Sequence, residues 1–305
     1  MATGGPPQFP RMADFKQGQY SDGSPLDEVQ YLECKLILKP DRFTSAKVFL
    51  EYGKLVAQTA KHFGIGYIDK GVVLMPRIRE VTFLDTADFR LYNHAFILRR
   101  RVRYVDGFPA GDPEIVFKFR HPDVQKAAEL DVRPHISGKY RIKFKVESLP
   151  LKDEVGGYRN LFSHNAQFGL SQAPEVDCTS MATLARVLPV LGGLKTTDTN
   201  RIELVNETIV EEVLQDLGEL DLGNGVTAAS NIAIWRERRT HRPICGEFAF
   251  EAKFKRADEL HEKVMGRGRQ FFIALQQSGR DWLSLGTTKT GLIYRLKGNP
   301  PQAHE

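Results

Sequence analysis

The chain has 305 residues, of which 41% are hydrophobic and 27% charged, a composition typical of a globular protein with a sizeable core. Its net charge of +5 is too small to indicate a nucleic-acid-binding protein. No apolar run approaches the roughly 20 residues of a membrane span. Three widely spaced cysteines favour neither a disulfide framework nor a zinc site, and they predict a reducing, cytoplasmic location.

The two ends of the chain differ in composition from the rest. Residues 1–27 are rich in Gly, Pro and polar side chains, so we predict a disordered tail there. Residues 298–305 are interpreted as a short C-terminal tail. A single domain is predicted for residues 28–297.

The first ordered segment, residues 28–39, alternates in the manner of a β-strand. One face of this strand is apolar and is predicted to meet the core. The other face holds Tyr31, Glu33, Lys35 and Ile37. A helix is predicted over residues 41–63.

The most unusual segment begins with a predicted strand at residues 80–84 and a turn at residues 85–88. The strand that follows, residues 96–105, places Arg99, Arg101 and Arg103 on one face. Three arginines that share a face repel one another and are costly to desolvate. This face is therefore predicted either to be solvated or to line a wet cavity that binds a polyanion.

Three further predicted strands repeat this pattern of one charged face. Residues 113–120 carry Lys118 and Arg120 on one face, and residues 129–133 and 140–148 form the other two strands. The last of them aligns Arg141, Lys143, Lys145 and Glu147. This recurrence favours a basic cavity, although Arg103, Lys145 and Arg238 taken singly are interpreted as solvent-facing charges.

The second half of the chain yields weaker signals. Residues 149–171 are interpreted as a long irregular connection, and Gly223-Asn224-Gly225 as a hairpin turn. The other predicted elements are a helix over 179–191, strands over 199–205, 208–222 (with a turn), 227–238 and 245–254, and a helix over 257–279.

Many antiparallel strands with few helices predict an α+β fold dominated by β structure. The fold expected is an eight-stranded antiparallel closed β-barrel, or tunnel, with flanking helices. Lys and Arg side chains in such an interior suit a polyanion such as a triphosphate. Carboxylates beside them could hold a divalent metal that bridges phosphate oxygens.

Several motifs resemble the CYTH domain of the triphosphate tunnel metalloenzymes. Asp85-Thr86-Ala87-Asp88 followed by Leu98-Arg99-Arg100-Arg101 resembles that family's Asp-Thr turn and arginine strand. Glu33 and Lys35 match the last two positions of its Glu-x-Glu-x-Lys signature, and Tyr31 stands where the family has the first Glu.

The resemblance implies a tunnel, Mg²⁺ or Mn²⁺, and a triphosphate-containing small molecule or polyphosphate as ligand. It implies catalytic roles for Lys35 and Glu33. The implied metal ligands are Glu33, Glu247 and Glu251, and the implied phosphate ligands are Arg99, Arg101, Lys118, Arg120, Lys143, Arg201 and Lys253.

Three functions remain open at this point. The first is metal-dependent hydrolysis of inorganic tripolyphosphate or of an organic triphosphate. The second is a non-catalytic polyphosphate- or nucleotide-binding module of the same fold, which Tyr31 favours because a phenol supplies no carboxylate. The third is an activity like that of class IV adenylate cyclases. Neither a nucleic acid nor a membrane is expected as a partner, and the sequence carries no signal of oligomeric state.

Overall fold

A computed structural model of the chain describes residues 28–68, 75–177, 179–195, 197–254 and 262–298. The predicted tail at residues 1–27 lies outside these ranges, and so does all of the predicted tail 298–305 except Gly298. Within the described ranges, none of the helices is long and apolar enough to cross a membrane.

Strands dominate the described part of the chain, as predicted. They are β1 (Tyr31–Leu38), β2 (Gly66–Ile68), β3 (Arg77–Asp85), β4 (Phe96–Val105), β5 (Phe108–His121), β6 (Tyr140–Pro150), β7 (Tyr158–Gly169), β8 (Glu203–Gly223), β9 (Val226–Glu237) and β10 (Pro243–Lys253). The helices are α1 (Lys47–His62), α2 (Arg90–Asn93), α3 (Val124–Glu129), α4 (Met181–Val187), α5 (Glu262–Ser278) and α6 (Lys289–Tyr294).

Nine of the described strands close into a barrel, in the order β8-β3-β4-β5-β7-β6-β1-β10-β9 and back to β8. The short strand β2 is added to β8 outside this circuit. The expected closed barrel is thus confirmed, but the expected count of eight strands is wrong. The barrel is also mixed rather than fully antiparallel, because β1 runs parallel to β6.

Strand β7 accounts for the difference in strand number. It occupies most of the predicted irregular connection 149–171 and pairs with both β5 and β6. Its inward residues include Asn165 and Gln167. On the outer side His164 is fully buried, stacks on Phe144 and donates from Nδ1 to the carbonyl of Ala127 at 3.1 Å. Because neither face of β7 is uniformly apolar, its sequence does not show the alternation of polar and apolar residues that marks a strand.

Two tight turns fix the register of long hairpins. Asn224 and Gly225 join β8 to β9 with φ of 54° and 76°, and this confirms the predicted hairpin turn. Asp106 and Gly107 join β4 to β5 with φ of 51° and 82°. Positive φ at both central positions is the geometry that matches the right-handed twist of the flanking strands.

Other predicted elements shift. The predicted strand at 129–133 is wrong: α3 ends at Glu129, and Asp123 caps the helix start by accepting from the backbone of the first turn. The predicted strand 199–205 is mostly irregular, since β8 begins only at Glu203. The strand and turn predicted over 208–222 belong to this one long strand. The predicted start of the helix 257–279 lies outside the described residues.

Two apolar cores cover the outside of the barrel. One lies between the outer faces of β4, β5, β6 and β7 and the segment that contains α4. The other lies between β1, β8, β9 and β10 and the helices α1 and α5. Burial of both outer faces explains why the charged faces of the same strands point into the barrel.

A third apolar cluster fills one end of the barrel interior. It includes Phe83 and Trp235 from the strands and Tyr92 and Tyr294 from α2 and α6. Tyr92 and Tyr294 stack with their ring centroids 4.2 Å apart. The first turn of α6 lies next to this cluster, and residues 288–290 line the remaining cavity from that end.

Candidate active site

The barrel interior contains a cavity of about 370 Å³, which we call the tunnel. Among the described residues, five Glu side chains line it: Glu33, Glu114, Glu147, Glu212 and Glu247. Eleven cationic side chains line it as well: Lys35, Arg77, Arg79, Arg99, Arg101, Lys118, Arg120, Arg141, Lys143, Lys145 and Lys289. This excess of positive charge is concentrated in a space of the size that small-molecule ligands occupy.

Most of the predicted site residues meet in this tunnel. The strands bring together Glu33 and Lys35 from β1, Arg99 and Arg101 from β4, Lys118 and Arg120 from β5, Lys143 from β6 and Glu247 from β10. Lys145 also lines the tunnel, so its interpretation as a solvent-facing charge is wrong. The charged residues of β6 alternate with buried apolar residues that face outward. This alternation turns the charged face of the strand, including Lys145, toward the barrel interior.

Three predicted site residues lie elsewhere. Arg201 is exposed in an isolated bridge to Ser180, away from the tunnel lining. Lys253 is exposed at the end of β10, with its ammonium 5.9 Å from the ring centroid of Tyr31. Glu251 does not line the tunnel, but its carboxylate contacts Lys143 and Lys145, which do line it.

Glu147 is one of two fully enclosed carboxylates of the tunnel, with 1% of its side chain exposed, as for Glu212. It contacts the ammonium of Lys118, lies 3.2 Å from Lys35 and 3.6 Å from Arg120, and accepts from the hydroxyl of Ser163 at 2.6 Å. Burial alone would raise its pKa, but these three cations outweigh burial and hold the pKa well below its usual range. Glu147 therefore stays ionised and holds three phosphate-binding candidates together.

Glu33 and Glu251 form a second carboxylate group. They are direct partners in the antiparallel register of β1 and β10. The ammonium of Lys145 contacts both, at 3.3 Å from Glu33, and Lys35 lies 2.9 Å from Glu33. Burial would raise the pKa of Glu33, but Lys145 and Lys35 lower it below the ordinary range.

Arg99 and Arg101 carry buried donors that are unsatisfied. The Nε atom of each is buried and has no hydrogen-bond partner among the described residues. Arg101 pairs with Glu114 at 3.1 Å, whereas Arg99 lies over the ring of Phe83 at 5.7 Å. Burial, with the nearby charges of Arg101 and Arg79, lowers the pKa of Arg99 to about 9. An anion in the tunnel would satisfy these donors and offset the repulsion.

Glu212 and Glu247 form a third carboxylate group near the filled end. Lys289 places its ammonium 2.6 Å from Glu247 and 3.6 Å from Glu212. Arg79 pairs with Glu212, and the indole of Trp235 donates to it at 2.8 Å. Burial would raise the pKa of Glu212, but the two cations hold it below its ordinary range.

The predicted metal ligands do not converge on one point. Glu247 is in register with Ile37, while Glu251 is in register with Glu33, so the three carboxylates cannot share one ion. Across the described part of the chain, no group of three His, Cys, Asp or Glu side chains could hold a metal. The pair Glu33 and Glu251 still fits Mg²⁺ or Mn²⁺, because such ions often use one or two carboxylates together with phosphate oxygens of a ligand.

The Asp85 turn supports the tunnel rather than lining it. Its buried carboxylate accepts from the backbone of Thr86, Leu91 and Tyr92 at 2.7 to 3.0 Å and from the hydroxyl of Tyr294 at 3.0 Å. Burial raises its pKa from 3.8 to about 6, although these hydrogen bonds lower it in part. Asp85 thereby connects α2 to α6, the helix that carries Lys289.

Several tunnel residues were not predicted from the sequence. Arg77 and Arg79 lie on β3, Glu212 on β8 and Lys289 on α6. Alternation along β3 could have placed the two arginines on one face with Val81 and Phe83. No local pattern marks Lys289, because only the fold brings this short helix to the end of the barrel.

Comparisons with known proteins find distant similarity of structure. No protein-family model and no curated protein matches the chain. A protein from Hippeastrum, named as a candidate adenylyl cyclase that reveals a dominant triphosphatase activity, matches at 11% identity with a TM-score of 0.40, over 91% of this chain and 100% of its own. A protein from Bacillus halodurans named as a candidate adenylate cyclase matches at 11% identity with a TM-score of 0.41, over 89% of this chain and 98% of its own.

A third protein, from Pyrococcus horikoshii, matches at 10% identity with a TM-score of 0.35, over 86% of this chain and 97% of its own. Similarity this distant does not establish the function of this chain.

Proposed function

We propose that the tunnel binds the triphosphate group of a small molecule, or inorganic tripolyphosphate, and hydrolyses it with Mg²⁺ or Mn²⁺. The observation that supports this most strongly is that Arg99 and Arg101 of β4 each have a buried Nε donor with no hydrogen-bond partner among the described residues. Arg99 has no ion-pair partner among the described residues, and a phosphate chain offers several oxygens to such donors.

The proposed roles follow from position in the tunnel. Arg99, Arg101, Lys118 and Arg120 bind phosphate oxygens, because they converge from the adjacent strands β4 and β5. Lys35 lies between the carboxylates of Glu33 and Glu147. From there it contacts the phosphate at the reacting centre and neutralises the charge that develops on it.

Lys143 is proposed to bind the phosphate chain nearer the open end. Glu33 and Glu251 are proposed to hold the metal. A divalent ion bound there supplies charge neutralisation and a water of lowered pKa. Glu247 is left out of the metal site because it lies four residues from Glu251 along β10, in register with Ile37 and not with Glu33. Arg201 and Lys253 are left out of the phosphate site because both are exposed and absent from the lining.

A second candidate is a tunnel that binds a phosphorylated ligand without turning it over. Two observations favour it: every Glu side chain of the lining is within 4.0 Å of a Lys or Arg cation, and Tyr31 supplies no carboxylate. The same chemistry at Lys35 could also serve a cyclase, with release of pyrophosphate.

One assay separates these functions. Phosphate, pyrophosphate and cyclic AMP are measured after incubation with tripolyphosphate or ATP, in Mg²⁺ or Mn²⁺, and binding is measured by calorimetry on the same samples. Release of phosphate supports the hydrolase, and release of pyrophosphate with cyclic AMP supports the cyclase. Binding without any release supports the binding module. If neither ligand binds in either metal, the triphosphate assignment is wrong.

The proposed working location is the cytoplasm. The described cysteines Cys34 and Cys245 are free and buried, and burial raises the pKa of the Cys245 thiol to about 12. Thiols of this kind suit a reducing compartment. Detection of the protein mainly in an oxidising compartment by cell fractionation would contradict this location.

A further inference from the structure

Large apolar side chains are exposed at one end of the tunnel. Met75, Val105 and Phe108 are 75%, 50% and 73% exposed, the three highest values among the large hydrophobic residues of the described ranges. Val105 and Phe108 flank the turn that joins β4 to β5, and Met75 lies two residues before the start of β3. Single exposed apolar residues are common, but several at one place indicate a binding surface. The proposed function gives this surface no role.

The sheet register places Val105 and Phe108 on the tunnel side of the barrel wall. The two residues are direct partners in the antiparallel pair of β4 and β5, so their side chains share a face. On β4, Val105 also shares a face with Arg101 and Arg99, which line the tunnel, because side chains alternate along a strand. The face that carries the buried arginines therefore continues outward to Val105 and Phe108.

The hairpin of β4 and β5 projects beyond the rim of the barrel at this end. β5 pairs with β7 only as far as Glu114, so residues 108–113 extend past that strand. On the other side of the hairpin, β3 begins at Arg77, level with Val105. The ring of Phe108 is therefore exposed just outside the mouth of the tunnel.

The distance from the inner cations decides which ligands could reach this ring. Val105 lies four residues beyond Arg101 on β4, which is about 13 Å at the rise of an extended strand. Inorganic tripolyphosphate consists only of charged phosphates, for which an apolar surface offers no favourable contact. An organic triphosphate with its phosphates at Arg99 and Arg101 would instead carry its organic group outward along this same face.

The chemistry of the two side chains suits a flat organic group. Phe108 offers the face of an aromatic ring, and nucleobases bind such faces by stacking. Neither Phe108 nor Val105 has a side-chain hydrogen-bonding group. Stacking alone tolerates every base, because each base has an aromatic face of its own. A subsite of this kind recognises a flat ring without distinguishing one base from another.

We infer that Val105 and Phe108 form a subsite for the nucleobase, or another flat aromatic ring, of an organic triphosphate, so that the ring adds to the affinity that the phosphates provide. The inference rests on the proposed function, because the phosphates of the same ligand occupy the tunnel. It names the class of organic group, and it predicts similar affinities for ATP and GTP.

The test is calorimetric titration of the full chain with ATP, GTP and tripolyphosphate in EDTA, so that no metal-dependent turnover consumes the ligand. Phe108→Ala is expected to weaken the binding of ATP and GTP by about fivefold to tenfold, the effect of losing one stacked base, and that of tripolyphosphate by less than about twofold. Phe108→Trp keeps an aromatic face and is expected to retain the affinity for both nucleotides. Leu50→Ala is the matched control, because it shortens an apolar side chain of 40% exposure on α1, outside the barrel.

A fluorescent ligand reports the stacking itself. The triphosphate of 2-aminopurine riboside loses fluorescence when its base stacks on an aromatic ring. Quenching is expected with the wild type, with Phe108→Trp and with Leu50→Ala, and it is expected to be lost with Phe108→Ala. Because most of the Phe108 side chain is exposed, these variants should fold as the wild type does, and their melting temperatures check this.

These outcomes are separable from the fate of the proposed function. If neither ATP nor tripolyphosphate binds, with or without metal, the proposed function is wrong and the subsite is wrong with it. If both bind and Phe108→Ala leaves the ratio of their affinities unchanged, the subsite is wrong while the triphosphate function stands. If Phe108→Ala converts a dimer to a monomer in sedimentation and leaves that ratio unchanged, the apolar surface joins two copies of the chain, and the inference is overturned.

Discussion

Replacement of Glu147 by Gln is expected to destabilise the free protein and to strengthen its binding of anions. The change keeps the shape of the side chain and an oxygen for the hydroxyl of Ser163, but it removes the buried negative charge. Three cations then face one another without that charge, since Glu147 contacts Lys118, Lys35 and Arg120.

The expected loss of stability follows from the burial of the group. Removing one partner of a buried ion pair costs about 3 to 5 kcal/mol, because the remaining charge stays buried. With an unfolding entropy of about 2.1 cal/mol/K per residue, 1 kcal/mol corresponds to about 1.6 °C for a chain of this length. The melting temperature of the free Glu147→Gln protein is therefore expected to fall by about 5 to 8 °C.

Ligand addition provides the more decisive readout. Each protein is melted in a calorimeter with and without 1 mM tripolyphosphate. The ligand is expected to stabilise Glu147→Gln more than the wild type, because the bound anion replaces the lost charge. Glu207→Gln is the control, since it removes a carboxylate from an exposed ion pair with Lys297 and should leave both melting temperatures unchanged. A variant destabilised as expected but stabilised less than the wild type by tripolyphosphate would refute the phosphate role of these cations.

Three further predictions concern other parts of the tunnel. The pKa of Asp85 rises from 3.8 to about 6 on folding, so the folded state binds the proton more tightly than the unfolded state. The free energy of unfolding should therefore fall by about 3 kcal/mol as the pH rises from about 4 to 6. Chemical denaturation across this range measures the fall, and Asp85→Asn should abolish it. Arg99→Ala should weaken tripolyphosphate binding by about tenfold or more in calorimetry, and Arg103→Ala, an exposed position on the same strand, should not. Lys145→Gln should tighten Mn²⁺ binding and weaken tripolyphosphate binding, because its ammonium lies between the two carboxylates proposed for the metal; parallel loss of both would contradict that arrangement.

The inward faces of four strands could be predicted from the sequence. In β1, β4, β5 and β6 a charged face alternates with an apolar face that packs against one of the outer cores, so the period of two is plain. Arg99, Lys118 and Lys143 were assigned to the tunnel for this reason. The alternation fixes which side chains share a face, and the closed barrel then decides that this face is the interior.

The missed residues depend on contacts between distant parts of the chain. Arg79 and Glu212 pair across β3 and β8, and Lys289 follows Glu212 by more than seventy residues. The parallel pairing of β1 with β6 has no local signature either, because register between distant strands is set by the closed barrel. The resemblance groups Glu247 with Glu251, but the two lie four residues apart on β10, and only Glu251 is in register with Glu33.

Access to the tunnel is expected from the end that carries Arg77. Exposure of the charged side chains falls from 61% at Arg77 and 38% at Glu114 to 7% at Lys118 and Arg120. The opposite end is filled by the apolar cluster that includes Tyr294. A triphosphate would therefore enter with its terminal phosphate first and leave any organic group near Arg77 and Glu114.

Choice between tripolyphosphate and a nucleoside triphosphate should then depend on the exposed end. Arg77→Glu is expected to change the ratio of the affinities for tripolyphosphate and ATP, because it alters the charge beside the organic group. Lys118→Gln is expected to weaken both ligands by a similar factor, because both present the same phosphates to the deep cations. Calorimetric titration of the two variants with both ligands tests this division. If Lys118→Gln changed the ratio and Arg77→Glu did not, the direction of entry would be the reverse of the one that the exposures indicate.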